Sequence, residues 1–118
     1  MALILIVGDE PDACRMLQRI LSSFGHSVQA FTEGGKAVEW LEDNLPDLAL
    51  LDINLRETDG IGLLKILRRS QPRTKTMMIT GNPSAETAGQ ATELGVVDYL
   101  VKPVEIDELE ERINRALG

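Results

Sequence analysis

Residues 47–52 have the sequence Asp-Leu-Ala-Leu-Leu-Asp, and this stretch gives the strongest indication of the fold. The run Asp47–Leu51 is apolar on both faces from Leu48 onward, and so is the run Leu3–Val7 near the start of the chain. Strands that are buried on both faces belong to parallel sheets covered by helices on each side. The two runs therefore predict a parallel sheet inside an α/β fold.

The rest of the chain continues the alternation of short apolar runs and amphipathic stretches. Further strands are predicted at Ser27–Phe31, Thr76–Thr80 and Val96–Val101. Apolar residues at helical spacing predict helices between Pro11 and Gly25 and at Gly34–Asp43, Gly60–Ser70, Ser84–Leu94 and Ile106–Leu117. Five such units predict a flavodoxin-like doubly wound α/β fold, (βα)5, whose five-stranded parallel sheet has the order 2-1-3-4-5.

The predicted helices differ in the apolar surface that they offer to the sheet. Met16 belongs to the inner face of the first helix, and Ile106 begins the inner face of the fifth. The fourth helix is the weakest, because its inner face is mostly alanine and Gly89 lies in its middle. The outer face of the fifth helix offers two ion pairs at favourable spacing, Glu108 with Arg112 and Glu111 with Arg115.

Composition narrows the class of protein. A length of 118 residues predicts one domain over residues 1–118, and 43% hydrophobic residues are enough for a core. The formal net charge of −7 argues against direct binding of nucleic acid, since an acidic surface repels phosphate backbones. The single cysteine, Cys14, excludes an internal disulfide and fits a reducing cytoplasm. The run Leu3–Val7 is too short to span a membrane, so we expect no membrane association.

Four polar residues follow or end different predicted strands. Asp9 follows the first strand and Asp52 the third, while Thr80 ends the fourth and Lys102 the fifth. In the order 2-1-3-4-5 these four strands are consecutive neighbours, so their carboxyl ends meet at one edge. Ligands bind at this edge in open α/β sheets. Lys102 is two strands away from Asp52, roughly 10 Å at the backbone, and a lysine side chain covers much of that distance.

The residue types at this edge suit phosphoryl transfer. Asp9 and Asp52 repel each other, and a divalent cation such as Mg²⁺ relieves that repulsion. An aspartate can act as a nucleophile and form an aspartyl-phosphate, and such transfer mainly requires positioning and positive charge around the phosphoryl oxygens. Mg²⁺ and Lys102 would supply that charge, and Thr80 would donate a hydrogen bond.

The segments ILIVGDEP, LALLDINLRETDG, MMITGN and DYLVKP resemble the receiver domain of two-component response regulators over essentially the whole chain. The resemblance implies that Asp52 is phosphorylated by a histidine kinase or phosphotransfer protein and that the domain is a signalling module rather than an enzyme. Asp9, Asp52 and the backbone carbonyl of Asn54 would hold Mg²⁺. Thr80 would be the switch hydroxyl, and Lys102 would contact the phosphoryl group.

The same resemblance implies a mechanism of output. Tyr99 matches the aromatic residue that changes rotamer together with Thr80, and Lys102–Pro103 matches a peptide bond that is usually cis in the family. The face formed by the fourth helix, fifth strand and fifth helix is the usual output surface, for a downstream effector or for pairing two copies.

Two positions depart from the family pattern. Gly8 stands where the family usually has a first acidic residue, which predicts weaker Mg²⁺ binding unless Glu10 compensates. Arg56 stands where proline is common. The loss at Gly8 keeps open the alternative of a receiver-like interaction domain that works without phosphorylation.

Other classes and simpler roles remain open from the sequence. A flavodoxin-type flavin module would need a glycine- and hydroxyl-rich loop after the first strand, and a haloacid dehalogenase-type phosphatase would carry its Asp-x-Asp pair there. Asp9 could merely cap the helix that follows it, Asp52 could cap a loop, and Lys102 could be a solvated surface charge.

Overall fold

The computed structural model describes residues 1–52 and 60–118. In this part of the chain five parallel strands form one sheet in the order β2-β1-β3-β4-β5, which confirms the predicted fold. The strands are β1 Leu3–Val7, β2 Ser27–Phe31, β3 Leu48–Asp52, β4 Lys75–Thr80 and β5 Asp98–Val101.

The helices follow the strands as predicted, with small differences at their ends. They are α1 Pro11–Ser23, α2 Gly34–Leu41, α3 Gly60–Ser70, α4 Ala85–Glu93 and α5 Ile106–Leu117. β3 is displaced by one residue, so Asp52 is its last residue rather than the first residue after it. β5 begins two residues later than predicted, although the Val97 amide still donates to the Thr76 carbonyl oxygen at 2.8 Å.

Alternation along the strands separates the core into two layers. Leu5 and Val7 of β1 belong to the layer that α2, α3 and α4 cover, and Ile4 and Ile6 belong to the layer covered by α1 and α5. All of β3 is buried, as expected for a central strand with helices on both faces.

α3 and α4 lie on the same face of the sheet but bury very different amounts of side chain. α3 buries five residues, Gly60, Ile61, Leu63, Leu64 and Leu67. α4 buries Ala91 as its one buried residue, and Gly89 has open space around the position of a Cβ atom. The weak packing expected for the fourth helix is therefore present.

Two expectations about helix faces are wrong. Met16 and Ile106 are 64% and 54% exposed, because the buried stripe of α1 runs through Cys14 and Leu21 and that of α5 begins only at Leu109. Ile106 is the first residue of its helix, one turn before the first buried position.

The predicted pair of Glu108 with Arg112 is also wrong. Arg112 Nη1 instead donates to Asp98 Oδ1 at 2.7 Å, across from α5 to β5. Asp98 is partly buried and also accepts a hydrogen bond from the Tyr99 amide. Its carboxylate is therefore held in place more firmly than that of an exposed glutamate on a helix. The second predicted pair, Glu111 with Arg115, is present.

No helix among the described residues combines the length and the apolar character needed to cross a bilayer.

Candidate functional site

Asp52 and Lys102 meet at the carboxyl edge of the sheet. Asp52 is 7% exposed at the end of the fully buried β3. Lys102 Nζ lies 3.1 Å from Asp52 Oδ2 and donates a charged hydrogen bond to it. The Lys102 amide donates to the Thr80 carbonyl oxygen at 2.8 Å, which fixes the backbone from which the side chain reaches across β4. The pairing argues against Lys102 as a freely solvated charge.

Thr80 ends β4 with its side chain fully buried. Its Oγ1 accepts a hydrogen bond from the Asn82 amide at 3.0 Å. Because the hydroxyl is the acceptor in this bond, its own proton remains available for donation to another group.

Tyr99 lies on β5 with its ring partly buried against the layer that contains Met78. Its hydroxyl oxygen is 3.2 Å from Thr87 Oγ1, in the first turn of α4. Thr87 did not emerge from the sequence analysis. The available signal was the spacing of Ser84 and Thr87, which is that of a helix cap and a residue in its first turn.

Asp9 follows Gly8 directly and is partly buried. The N-cap residue of α1 is Glu10, and its side chain makes no capping bond, so the role of a helix cap does not fall to Asp9. Burial raises the pKa of the Cys14 thiol above its ordinary value, although the hydrogen bond to the Gly8 carbonyl oxygen and the charge of Lys102 oppose this and the carboxylates of Asp52 and Asp9 add to it. Asp9 directly follows the residue that lies against the Asp52 side chain.

Gly8 lies close to both Cys14 and Asp52. A Cβ atom at position 8 would lie 3.3 Å from Cys14 Sγ and 3.7 Å from Asp52 Cβ. Cys14 Sγ donates to the Gly8 carbonyl oxygen at 3.3 Å. A cavity of about 20 Å³, enough for about one water molecule, is lined by Gly8, Glu10, Cys14, Asp52 and Lys102 together with apolar residues.

The donor set suits a cation that keeps much of its water. In the part of the chain that the structure describes, no three His, Cys, Asp or Glu side chains are close enough to hold a metal ion by themselves. Mg²⁺ usually takes one or two carboxylates and completes its shell with water and phosphate oxygens, so Asp52 and Asp9 fit it. Asn54, expected to add a backbone carbonyl, and Arg56 lie outside the described residues.

The Lys102–Pro103 peptide bond is cis, as the resemblance implied. The structure thus brings Asp52, Thr80 and Lys102 together at one sheet edge with Asp9 nearby. It connects Tyr99 to α4 through Thr87.

Comparisons with known proteins agree with this architecture. The family model described as "Response regulator receiver domain" matches residues 4–114. The transcriptional regulatory protein ZraR of Escherichia coli strain K12 is 35% identical over 115 residues, which cover 98% of this chain and 26% of ZraR. The regulatory protein AtoC of the same strain is 38% identical over 114 residues, 97% of this chain and 25% of AtoC. The chain therefore spans about a quarter of the length of these relatives.

Solved structures extend the similarity to the backbone. A CheY-like response regulator receiver domain protein from Methanospirillum hungatei JF-1 superposes with a TM-score of 0.96 at 31% identity, over 99% of this chain and 94% of that one. The receiver domain of NtrX from Brucella abortus superposes with a TM-score of 0.90 at 34% identity, over 97% of each chain. Sequence, fold and family model agree: this chain belongs to the response regulator receiver domain family.

Proposed function

We propose that Asp52 accepts a phosphoryl group from a phosphohistidine of a sensor kinase or phosphotransfer protein. A carboxylate oxygen of Asp52 attacks phosphorus, the phosphorus–nitrogen bond breaks, and the histidine nitrogen leaves with the electron pair and takes up a proton. The observation that carries the proposal is the pairing of the buried Asp52 carboxylate with Lys102 at 3.1 Å. This pairing keeps a cation beside the oxygen atoms that would bear the incoming group.

The neighbouring residues divide the remaining work. Lys102 would move its hydrogen bond from the Asp52 carboxylate to a phosphoryl oxygen, and Thr80 would donate its hydroxyl proton to another. Such transfer depends mainly on positioning and on neutralising charge. Asp9, Asp52 and the Asn54 carbonyl would hold Mg²⁺, which supplies positive charge to the phosphoryl oxygens when bound.

The phosphoryl group would change the face formed by α4, β5 and α5. It adds about two negative charges and three acceptor oxygens beside Thr80. A Thr80 side chain drawn toward them frees space for Tyr99 to turn inward. The sparse packing of α4 supports this choice of moving element, since weakly packed elements change conformation at the least cost.

The relatives support a proposal about the output partner. ZraR is described as a transcriptional regulatory protein and is about four times as long as this chain. We infer that this receiver controls an effector domain or protein in the cytoplasm through the α4, β5 and α5 face, which would also pair two copies of the receiver. The receiver would assist its own phosphorylation and dephosphorylation without acting on other substrates.

Acetyl phosphate with Mg²⁺, followed by intact-mass measurement, tests the proposal. We expect an adduct of about 80 Da on the natural chain and none on Asp52→Asn. Lys102→Met tests the cation and should slow labelling at least tenfold, whereas Arg115→Met, which removes an exposed cation on α5, should not. No adduct, or an adduct that persists in Asp52→Asn, would refute the assignment of Asp52.

A second candidate, an interaction domain that works without phosphorylation, is favoured by one observation, the glycine at position 8. Gly8→Asp should tighten Mg²⁺ binding about tenfold, as expected for a further carboxylate near the cation, measured by amide chemical shifts during titration. A Cβ atom at position 8 would require Cys14 Sγ to move by a few tenths of an ångström. Gly8→Ala adds the Cβ atom without the carboxylate and is therefore the matched control for packing. Labelling by acetyl phosphate that appears only in Gly8→Asp would favour the interaction domain.

A further inference from the structure

Tyr99 is held at its hydroxyl by a residue of a different element. The Tyr99 hydroxyl oxygen lies 3.2 Å from Thr87 Oγ1, which joins the edge strand β5 to the first turn of α4. Thr87 is partly buried, and so is Tyr99. The contact therefore lies where the strand and helix meet.

Thr87 also belongs to the N-terminal cap of α4. The Thr87 amide donates to Ser84 Oγ at 3.1 Å, and the two hydroxyl oxygens are 2.8 Å apart. The Thr87 hydroxyl further donates to the Ser84 carbonyl oxygen at 3.3 Å. Ser84 is the N-cap residue, so Thr87, one of the two side chains that close the helix end, is also the side chain that contacts Tyr99.

One assignment of protons satisfies all of these contacts. A threonine hydroxyl has one proton and two lone pairs. Its proton goes to the Ser84 carbonyl oxygen, and its lone pairs accept from the hydroxyls of Ser84 and Tyr99. If Tyr99 turns away, one of these lone pairs loses its donor.

The cap matters more to α4 than a cap does to a well-packed helix. Ala91 is the one residue of α4 that is buried, and Gly89 lowers the helix propensity of its middle. The hydrogen bonds of the cap therefore contribute a larger share of the stability of α4 than they would in a well-packed helix. If the orientation of the Tyr99 ring affects the cap, the state of the cap affects the ring by the same free energy.

We propose that Thr87 is a positioning residue that holds Tyr99 in its resting orientation and couples that orientation to the N-terminal cap of α4. The importance of this coupling for signalling rests on the proposed function. The coupling itself is a property of the unmodified protein and is measured there.

A double-mutant cycle in the unphosphorylated protein tests the proposal. Thr87→Val removes the hydroxyl and keeps the shape, and Tyr99→Phe removes the other partner. Tyr99→Phe should speed exchange of the Thr87 and Ala88 amides about fivefold, the size of one net hydrogen bond. Thr87→Val should speed it at least as much, because it also removes the contacts of the Thr87 hydroxyl with Ser84. The double variant should match Thr87→Val alone rather than show the product of the two effects, because the bond that Tyr99→Phe breaks is already lost in Thr87→Val.

Two further variants separate the hydroxyl from general effects on the helix. Thr87→Ser keeps the hydroxyl and should behave as the natural chain. Thr92→Val removes a hydroxyl from the same helix, one that donates to the Ala88 carbonyl oxygen at 2.8 Å, and should leave the ring of Tyr99 unaffected. Since Tyr99 is the only tyrosine, ring resonances of ¹³C-labelled tyrosine report on it alone. These resonances should shift in Thr87→Val and stay in place in the other two variants.

Three results would each overturn the coupling. The effects of the two substitutions could multiply in the double variant, the ring resonance could stay in place in Thr87→Val, or it could shift equally in Thr92→Val. If Thr87→Val does not fold, Tyr99→Phe with unchanged amide exchange in α4 would overturn it as well. Loss of phosphorylation at Asp52 with the coupling intact would refute only the proposed function.

Discussion

α3 and α4 are neighbours on one face of the sheet, yet different forces hold them. α3 inserts buried leucines into the core, including Leu63, Leu64 and Leu67. α4 contributes one buried alanine and is anchored at its start by the hydroxyls of Ser84 and Thr87. Apolar packing changes little with a local charge, whereas hydroxyl bonds exchange partners readily. This difference is the reason to expect that α4, rather than α3, moves when the proposed site at Asp52 is occupied.

The largest expected effect concerns α3. Leu64→Ala should lower the free energy of unfolding by about 2–5 kcal/mol, because it empties a fully buried position. Urea denaturation followed by far-ultraviolet circular dichroism measures this. The exposed Gln90→Ala in α4 is the control and should change it little. A cost for Leu64→Ala below about 1 kcal/mol would break the contrast between the helices.

The cap of α4 is the next test. Ser84→Ala should cost about 1 kcal/mol, since it removes the acceptor of the Thr87 amide. Hydrogen exchange should show faster exchange in α4 with α3 unchanged. Ser70→Ala is the comparison for α3, because the Ser70 hydroxyl donates to the Ile66 carbonyl oxygen of the same helix and does not cap it. Equal changes in both helices would mean that the cap is not a local anchor.

Two buried threonine hydroxyls in and beside β4 allow the contribution of packing to stability to be separated from that of hydrogen bonding. Thr76 Oγ1 is buried without a hydrogen-bond partner among the described residues, so Thr76→Val should raise stability by about 1 kcal/mol. Thr74 is equally buried but donates to the Pro46 carbonyl oxygen at 2.8 Å. Thr74→Val should therefore lower stability by a similar amount. Thermal unfolding of both variants compares them, and shifts of the same sign would contradict the argument.

The smallest effect is expected at Gly89. Gly89→Ala should raise stability by about 0.5–1 kcal/mol, because alanine favours the helix and a Cβ atom there meets nothing within 4 Å. The gain should appear as slower amide exchange in α4. Gly95→Ala is the contrasting variant and should destabilise, since Gly95 has a φ of +82°. A loss of stability in Gly89→Ala would show that α4 is constrained in a way that its packing does not reveal.

Much of this architecture could be predicted because it depends on local pattern. Runs such as Leu3–Val7, which are apolar on both faces, rarely form anything but a central parallel strand. The sheet order then brings Asp52 and Lys102 to one edge. The two-strand reach of the lysine side chain followed from strand spacing alone.

The features that escaped prediction depend on tertiary geometry. Arg112 has an acid at helical spacing, and only the position of α5 against β5 shows that Asp98 is the partner. Helical periodicity places Ile106 on the inner face but does not say at which turn of α5 burial begins. Thr87 resembles any residue in a first turn until Tyr99 is placed beside it.

The most direct test of this account is amide exchange of α3 and α4 before and after occupation of Asp52 by a phosphoryl group or beryllofluoride, with Asp52→Asn as the control. We expect exchange in α4 to change about tenfold or more, exchange at Leu63, Leu64 and Leu67 in α3 to stay the same, and the control to show no change. Unchanged exchange in α4 with Asp52 occupied, or equal changes in both helices, would contradict the account.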